Sequence, residues 1–519
     1  MRHDDGASVP RAVVVVLVIA AALLATLDGR PASGTTGARS LSRSGASEAI
    51  VRSSHGNGFV RAGTGIAFVP WGFNYARATG TFDHGASPAA STDWPRISAD
   101  FATMRKLHAN IVRVYLQFNK FVDPPTRRSP NGTPNRAALA DLSRLLWVAH
   151  QAGLHLDITG LGIERAYEPS LCGSAAVPTA NRPKWCWYNE ITSTARRWAA
   201  QAVFWRSVAQ TVNKSPARHS VAWFDLMNEP VAKNSKSWCL GTVDGYCYVQ
   251  ALASRSDRRS ARALATAWAK AMRRAIRRTG NTTLLSTGLI LLGPTSSKPT
   301  GCPMVRGHGA WAAAINQSFD LVAIHVYPGS RIPLWIQSAN NCKVPGKPLV
   351  LEETFNLRAS PLDEQRFVAG TRSGNARPYN RRVHYPTGVR ITYEHAVYTA
   401  KRLTTGHSPR ARAGRDPNWQ REFTVYRKNA TYRTGSVVIY AQTIYRAAHT
   451  SSGRLPSRGR HWTPMYAAPS VNGWLGHYLF SPDDIARDRQ AGTETIAEAM
   501  QQSWFDIFTR LTPWITGRH

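Results

Sequence analysis

A mainly apolar run, Val221 to Met227, stops abruptly at Asn228, Glu229 and Pro230. It lacks the polar alternation of a strand with one wet face, so it reads as a strand buried on both faces. Pro230 ends it, and the carboxylate of Glu229 therefore emerges at its C-terminal edge. Doubly buried strands belong to a parallel sheet covered by helices. The closed form of such a sheet is the (β/α)8 barrel, whose reactive groups sit at the C-terminal strand ends.

The rest of the chain supports this α/β reading. Residues 58–75 suggest a hairpin leading into a first strand, and helical spacing over 100–108 is followed by an apolar strand over 109–115. Helix 135–153 precedes strand 155–160, and an amphipathic helix at 197–209 feeds the Val221 strand. A helix over 257–278 with a strand over 283–288 forms the next unit, then comes a strand at 320–328, and a last helix at about 493–511 closes the chain. This repeated helix-then-strand order is the barrel's pattern.

A second apolar strand begins at Lys347 and Pro348 and runs into Glu352 and Glu353. Two carboxylates at the ends of parallel strands are what glycoside cleavage requires, one to protonate the leaving oxygen and one to attack or to activate water. Arg113 stands inside an apolar strand, where an unpaired charge is costly, so it calls for a carboxylate partner.

These motifs resemble those of the cellulase and mannanase group of glycoside hydrolase family 5, in the large clan of retaining (β/α)8 glycosidases. The resemblance implies that Asn228-Glu229-Pro230 closes the fourth strand with Glu229 as acid/base. It places the nucleophile on the seventh strand at Glu353, with Glu352 as the second candidate, because this chain has Glu352-Glu353-Thr354-Phe355 where the family has Glu-Phe-Gly. It further implies that Arg113 touches the nucleophile and Asn228 bonds the sugar 2-hydroxyl. His325 would line the cleft, Tyr327 would bond the nucleophile, and Trp474, on an eighth strand, would floor the subsite beside the scissile bond. The family's cleft histidine near the end of strand three has no counterpart here, and His155 reads as structural. Within the loop 163–192, Trp187 is the preferred platform for the apolar face of a sugar. No cofactor or metal is implied.

With 519 residues and 43% apolar content, one elaborated barrel accounts for the chain, since such barrels need roughly 250 residues and accept long insertions. Arg2 and Arg11 precede an apolar stretch over 12–27, too short for a comfortable membrane span, which reads as a secretory signal or an uncleaved anchor within residues 1–33. Residues 34–54 read as a linker, 55–370 as barrel strands one to seven, 371–470 as an Arg-rich insertion that is either partly ordered or has little fixed structure, and 471–519 as the eighth strand and closing helix. Six cysteines suit an oxidising compartment, and nearest-neighbour pairing gives Cys172 with Cys186, Cys239 with Cys247, and Cys302 with Cys342. No Cys-x-x-Cys is present, which argues against zinc.

The formal net charge is +34, and residues 371–470 hold 18 Lys and Arg against three acids. Such charge favours weak association with anionic polymers, or serves solubility alone. The expected partner is a polysaccharide or oligosaccharide, with no specific nucleic acid and no stable membrane span. Two other readings stand beside a secreted retaining hydrolase: a transglycosylase on the same site, and a non-catalytic carbohydrate- or polyanion-binding exoprotein.

Overall fold

The computed structural model describes residues 48–54, 58–75, 92–161, 164–165, 194–235, 239–243, 246–254, 258–291, 302, 309–329, 331–355, 360–372, 377–394, 396–409, 416–440, 443–457, 460–467, 470–477, 489–490, 492 and 496–516. The apolar stretch 12–27, expected as a signal or anchor, lies outside these residues, as does Trp187. Among the described residues no helix is long and apolar enough to cross a membrane.

Eight parallel strands form the centre: β1 Trp71–Tyr75, β2 Ile111–Leu116, β3 His155–Gly160, β4 Val221–Asp225, β5 Leu284–Ser286 resumed as Gly288–Ile290, β6 Val322–His325, β7 Leu349–Thr354 and β8 Val471–Gly476. A helix follows each: α1 Trp94–Lys106, α2 Arg136–Ala152, α3 Thr194–Lys214, α4 Ala261–Arg277, α5 Gly309–Ser318, α6 Ile332–Asn340, α7 Pro361–Thr371 and α8 Ile496–Thr516. Strands pair in chain order, and β8 returns to β1 with Trp474 opposite Trp71, so the sheet closes into a barrel. The fifth strand, expected unbroken over 283–288, is in two pieces separated by Thr287. The first pairs with β4 and the second with β6.

Local chemistry sets the helix ends. Asn135 caps α2 by accepting the Ala138 N–H at 3.0 Å, and Gly153 ends it with φ 69°. Helix α4 starts after Ser260, which accepts the Ala263 N–H, rather than at the expected 257. A serine oxygen beside free N–H groups decides the boundary.

One apolar layer fills the space between strands and helices, and a smaller one fills the barrel's lower interior with Ile111, Ala222, Trp223, Leu321, Val350 and Leu475. Short antiparallel strands Ile50–Arg52, Phe59–Arg61 and Ala67–Phe68 pack onto that lower layer, with Phe59 stacked on Trp223 at 5.5 Å. The expected linker thus already contains a strand at residue 50, held by pairing with Phe59–Arg61. His155 sits at this lower end against Phe68, a structural place as anticipated.

Of the two readings of residues 371–470, the structure agrees with the ordered one: they carry a seven-stranded sheet in the order Arg377–Pro378, Arg390–Tyr393, Ala396–Ala400, Trp419–Val425, Val437–Tyr440, Thr443–Ala447 and Trp462–Ala467. Tyr, Val and Ile alternate there with Arg and Thr: in Thr443–Ala447, for example, Ile444 and Ala447 are buried while Arg446 is exposed. Of the three disulfides expected, Cys302–Cys342 is formed. Cys172 and Cys186 lie outside the described residues, as do the side chains of Cys239 and Cys247.

Candidate active site

Polar residues occupy alternate, inward positions near the upper ends of the strands: Asn74 on β1, Arg113 and Tyr115 on β2, Asp157 and Thr159 on β3, Asp225 on β4. Period two on an apolar strand turns such a set to one face. Arg113 is fully buried and gathers the others. One amino group donates to Glu353, to Tyr115 at 2.7 Å and to Asn74 at 3.0 Å; the other donates to Asp225 at 2.6 Å and Asn228 at 3.0 Å. Its Nε lies 3.7 Å from Asp157.

Above Leu351, strand β7 holds one residue more than its neighbours. Ile324 pairs with Leu351 but His325 pairs with Glu353, and on the other side Leu351 pairs with Trp474 while Thr354 pairs with Gly476. This bulge lets two successive side chains serve the interior, where strict alternation would admit one. Glu352 is fully buried and accepts from Trp223 Nε1 at 3.0 Å and Ser286 Oγ at 3.2 Å. Glu353 sits at the mouth, bonded by Arg113, by the Tyr327 hydroxyl and by Tyr115 at 3.1 Å.

Glu229 follows β4 in the left-handed backbone region, with φ 47°, and its N–H is bonded to the Gly288 carbonyl at 3.0 Å. The turn aims its carboxyl across the barrel at His325, whose Nδ1 is 2.8 Å from Glu229 Oε1. An oxygen of Glu229, a nitrogen of His325 and an oxygen of Glu353 lie within 4.8 Å of one another. Gly288 makes room for this: a methyl group there would meet His325 Nε2 at 2.2 Å and Glu352 Oε2 at 2.8 Å.

The environments separate the two mouth carboxyls. Burial, and then the nearby charge of Glu353, push Glu229 well above the usual carboxylate range despite Arg113. Burial also works against ionised Glu353, but the charge of Arg113 and the Tyr327 hydroxyl oppose it, as do His325 and His477 when protonated, and this carboxyl is held below the usual range. Burial pushes His325 down to about 3 although Glu353 opposes it, so its ring is neutral near pH 7. With that ring uncharged, Arg113 is the fixed cation that keeps Glu353 ionised. Glu352 is pushed well above the usual range by burial and by Asp157 and Asp225, which favours its neutral form. A neutral acid and an ionised carboxylate thus face each other across one opening.

The fold brings together Glu229, Glu353, Arg113, Asn228, His325 and Tyr327. Trp474, expected at the floor of a sugar subsite, is elsewhere: it is 1% exposed, packs edge-on against Trp71 and donates to Thr371 Oγ1 at 3.0 Å. Its register partners Leu351 and Trp71 face the helix layer, and strand parity turns Trp474 the same way. The mouth on β8 is supplied by His477, with Nε2 3.5 Å from Glu353 and its ring against Tyr327. Sequence reasoning had also passed over Asn74, Tyr115, Asp157 and Asp225 as site residues. Their two-residue alternation on apolar strands was the available signal.

The family profile of cellulase (glycosyl hydrolase family 5) matches residues 78–345, just over half of the chain. Solved structures with some likeness include an exo-beta-1,4-mannosidase from Opitutaceae bacterium strain TAV5, at 19% identity and TM-score 0.39, over 61% of this chain and 52% of that one. The beta-mannanase of the blue mussel Mytilus edulis has 12% identity and TM-score 0.39, over 62% of this chain and 88% of its own. For the beta-1,4-mannanase of the sea hare Aplysia kurodai the values are 13% and 0.40, over 62% and 89%. The chain spans about half the length of the Opitutaceae enzyme it matches. No curated protein sequence matches it.

Proposed function

The chain belongs to glycosyl hydrolase family 5, the cellulase family, and from that premise we propose that it is a secreted enzyme cleaving β-glycosidic bonds of a β-glucan, mannan or related glycan with retention of configuration. One observation carries the reading: oxygens of Glu229 and Glu353 lie within 4.8 Å of each other, with protonation tendencies driven in opposite directions. Carboxyls about 5 Å apart suit double displacement, whereas inversion needs roughly 6.5–9.5 Å to admit a water between carboxylate and sugar.

In the first step a Glu353 oxygen attacks the anomeric carbon, the glycosidic C–O bond breaks, and Glu229 gives its proton to the departing oxygen. In the second, ionised Glu229 takes a proton from water, the water oxygen attacks the same carbon, and Glu353 leaves. Asn228, held by Arg113, is placed for the sugar 2-hydroxyl, and Tyr327 steadies the nucleophile. Secretion is supported by the apolar stretch 12–27 behind two arginines and by the Cys302–Cys342 bridge, which suits an oxidising compartment.

The test is to incubate the protein with defined β-1,4-linked gluco- and manno-oligosaccharides and follow the anomeric proton of the first product by NMR. A β-anomer formed first supports the proposal, and an α-anomer, or no turnover across a panel of β-glycans, refutes it. Longer oligosaccharides appearing as major products identify sugar, rather than water, as the second-step acceptor.

A further inference from the structure

The sheet inserted between β7 and β8 is built twice from one pattern, repeated at an interval of 47 residues through most of its length. Tyr379, Tyr385, Thr387, Gly388, Tyr393, Tyr398, Ala400 and Gly406 recur as Tyr426, Tyr432, Thr434, Gly435, Tyr440, Tyr445, Ala447 and Gly453. The interactions recur with them. Tyr385 stacks on Tyr379 at 5.7 Å and meets Trp419 edge-on at 5.4 Å; Tyr432 stacks on Tyr426 at 5.5 Å and meets Trp462 edge-on at 5.3 Å. The Tyr385 hydroxyl accepts the Asn380 N–H at 2.6 Å, and the Tyr432 hydroxyl accepts the Arg427 N–H at 2.6 Å. Gly388 and Gly435, with φ 88° and 85°, each donate to an alanine carbonyl, Ala400 and Ala447, at 2.7 Å. Trp419 donates to the His407 carbonyl and Trp462 to the Arg454 carbonyl. Residues 379–425 and 426–467 are therefore two copies of one unit.

A surface presented twice fits a ligand that repeats, because the second contact on the same molecule costs less than the first. Charge indicates its chemistry. Residues 371–470 hold 18 basic residues and three acids, and two of the acids are used internally. Glu422 pairs with Arg390 at 2.8 Å, and Asp416 accepts the N–H groups of Asn418 and Trp419. Arg381, Arg382 and Arg402 in the first copy, and Arg427, Lys428 and Arg454 in the second, remain exposed. Arg381 and Lys428 are equivalent positions, and each lies on a turn packed beside its copy's second glycine, Gly406 or Gly453. The tryptophans are buried at 2% and 4% exposure, so neither offers the ring face that would hold a neutral sugar.

We infer that the duplicated insertion is a bivalent binding surface for an acidic polysaccharide, gripping carboxylate or sulfate groups through equivalent basic turns of its two copies. The choice of a glycan over other polyanions rests on the glycosidase reading of the barrel, whose own test is turnover.

The full chain is titrated calorimetrically with polygalacturonate, unsubstituted mannan and duplex DNA at 50, 150 and 300 mM NaCl. Wild type, R381E/K428E and a control of equal charge change on the barrel helices, R136E/R274E, are compared. Expected is binding to polygalacturonate that weakens with salt and falls about tenfold or more in R381E/K428E, while the control pair keeps its affinity and hydrolysis of short oligosaccharides is unchanged in both. The inference is overturned by absence of polygalacturonate binding at 150 mM, by an equal loss in the control pair, or by DNA binding at least as tightly as the polysaccharide. Loss of the glycosidase reading shows separately, as absence of oligosaccharide turnover in the wild type.

Discussion

His325 Nδ1 lies 2.8 Å from Glu229 Oε1, while its Nε2 faces Glu352 Oε2 at 3.8 Å. The ring thus stands between the proposed acid and a second, wholly buried carboxyl. At 3.8 Å, His325 Nε2 and Glu352 Oε2 are too far apart for a hydrogen bond.

The proposed mechanism makes Glu353 rather than Glu352 the nucleophile, because Glu353 is at the mouth under Arg113 whereas Glu352 is fully buried. Glu353→Gln should lower kcat by at least ~10³-fold, the scale expected when a reacting group is removed, and Glu352→Gln should leave most activity. Stability separates them too. The folded pKa of Glu352 is raised above its unfolded value, so the wild type loses stability as pH rises from the unfolded pKa towards the folded one. Urea unfolding should therefore show Glu352→Gln gaining on wild type between pH 4 and pH 7. A Glu352 variant as inactive as the Glu353 variant at full stability reverses the assignment.

The pH dependence of kcat/KM should be bell-shaped. Its acid limb, set by Glu353, lies below the ordinary carboxylate range, and its basic limb, set by Glu229, lies above it. Tyr327→Phe removes a hydrogen bond to the ionised nucleophile. Such bonds contribute about 1.5–3 kcal/mol, so the acid limb should rise by about one to two pH units with the basic limb unmoved. Rate profiles across pH 2 to 9 decide this.

Trp474 and His477 should behave as opposites. Trp474→Phe loses packing against Trp71 and the bond to Thr371, and should cost about 1–3 kcal/mol of stability with KM unaltered. His477→Ala should leave the melting temperature nearly unchanged and lower kcat/KM by about tenfold through the lost contact with Glu353. Thermal unfolding and steady-state kinetics on both variants provide the comparison.

The Cys302–Cys342 bridge closes a loop with a sequence separation of 40. Constraint of the unfolded chain by such a loop is worth about 4 kcal/mol in the chain-entropy treatment. The C302S/C342S variant should melt at a distinctly lower temperature, with activity retained below its transition. An unchanged melting temperature would contradict a structural role for the bridge.

The amino-acid order by itself determined the barrel and its chemical centre. Apolar strands running into Asn228-Glu229-Pro230 and into Glu352-Glu353 mark positions where a sheet edge carries carboxyls, and an arginine inside an apolar strand requires a partner. These are local properties of strand periodicity and burial, legible without coordinates. The choice between Glu352 and Glu353 was not local, because it rests on a bulge fixed by how β7 registers with both β6 and β8. Trp474 was misread for the same reason: one step of parity, set by pairing with Trp71 and Leu351, turns it from the cleft to the helices and leaves His477 at the mouth. Composition left the order of the arginine-rich insertion open, because charge count does not record which side of a strand each residue occupies. Only the folded chain, by pairing strands and stacking Tyr379, Tyr385 and Trp419 as it does Tyr426, Tyr432 and Trp462, brought out the order within it.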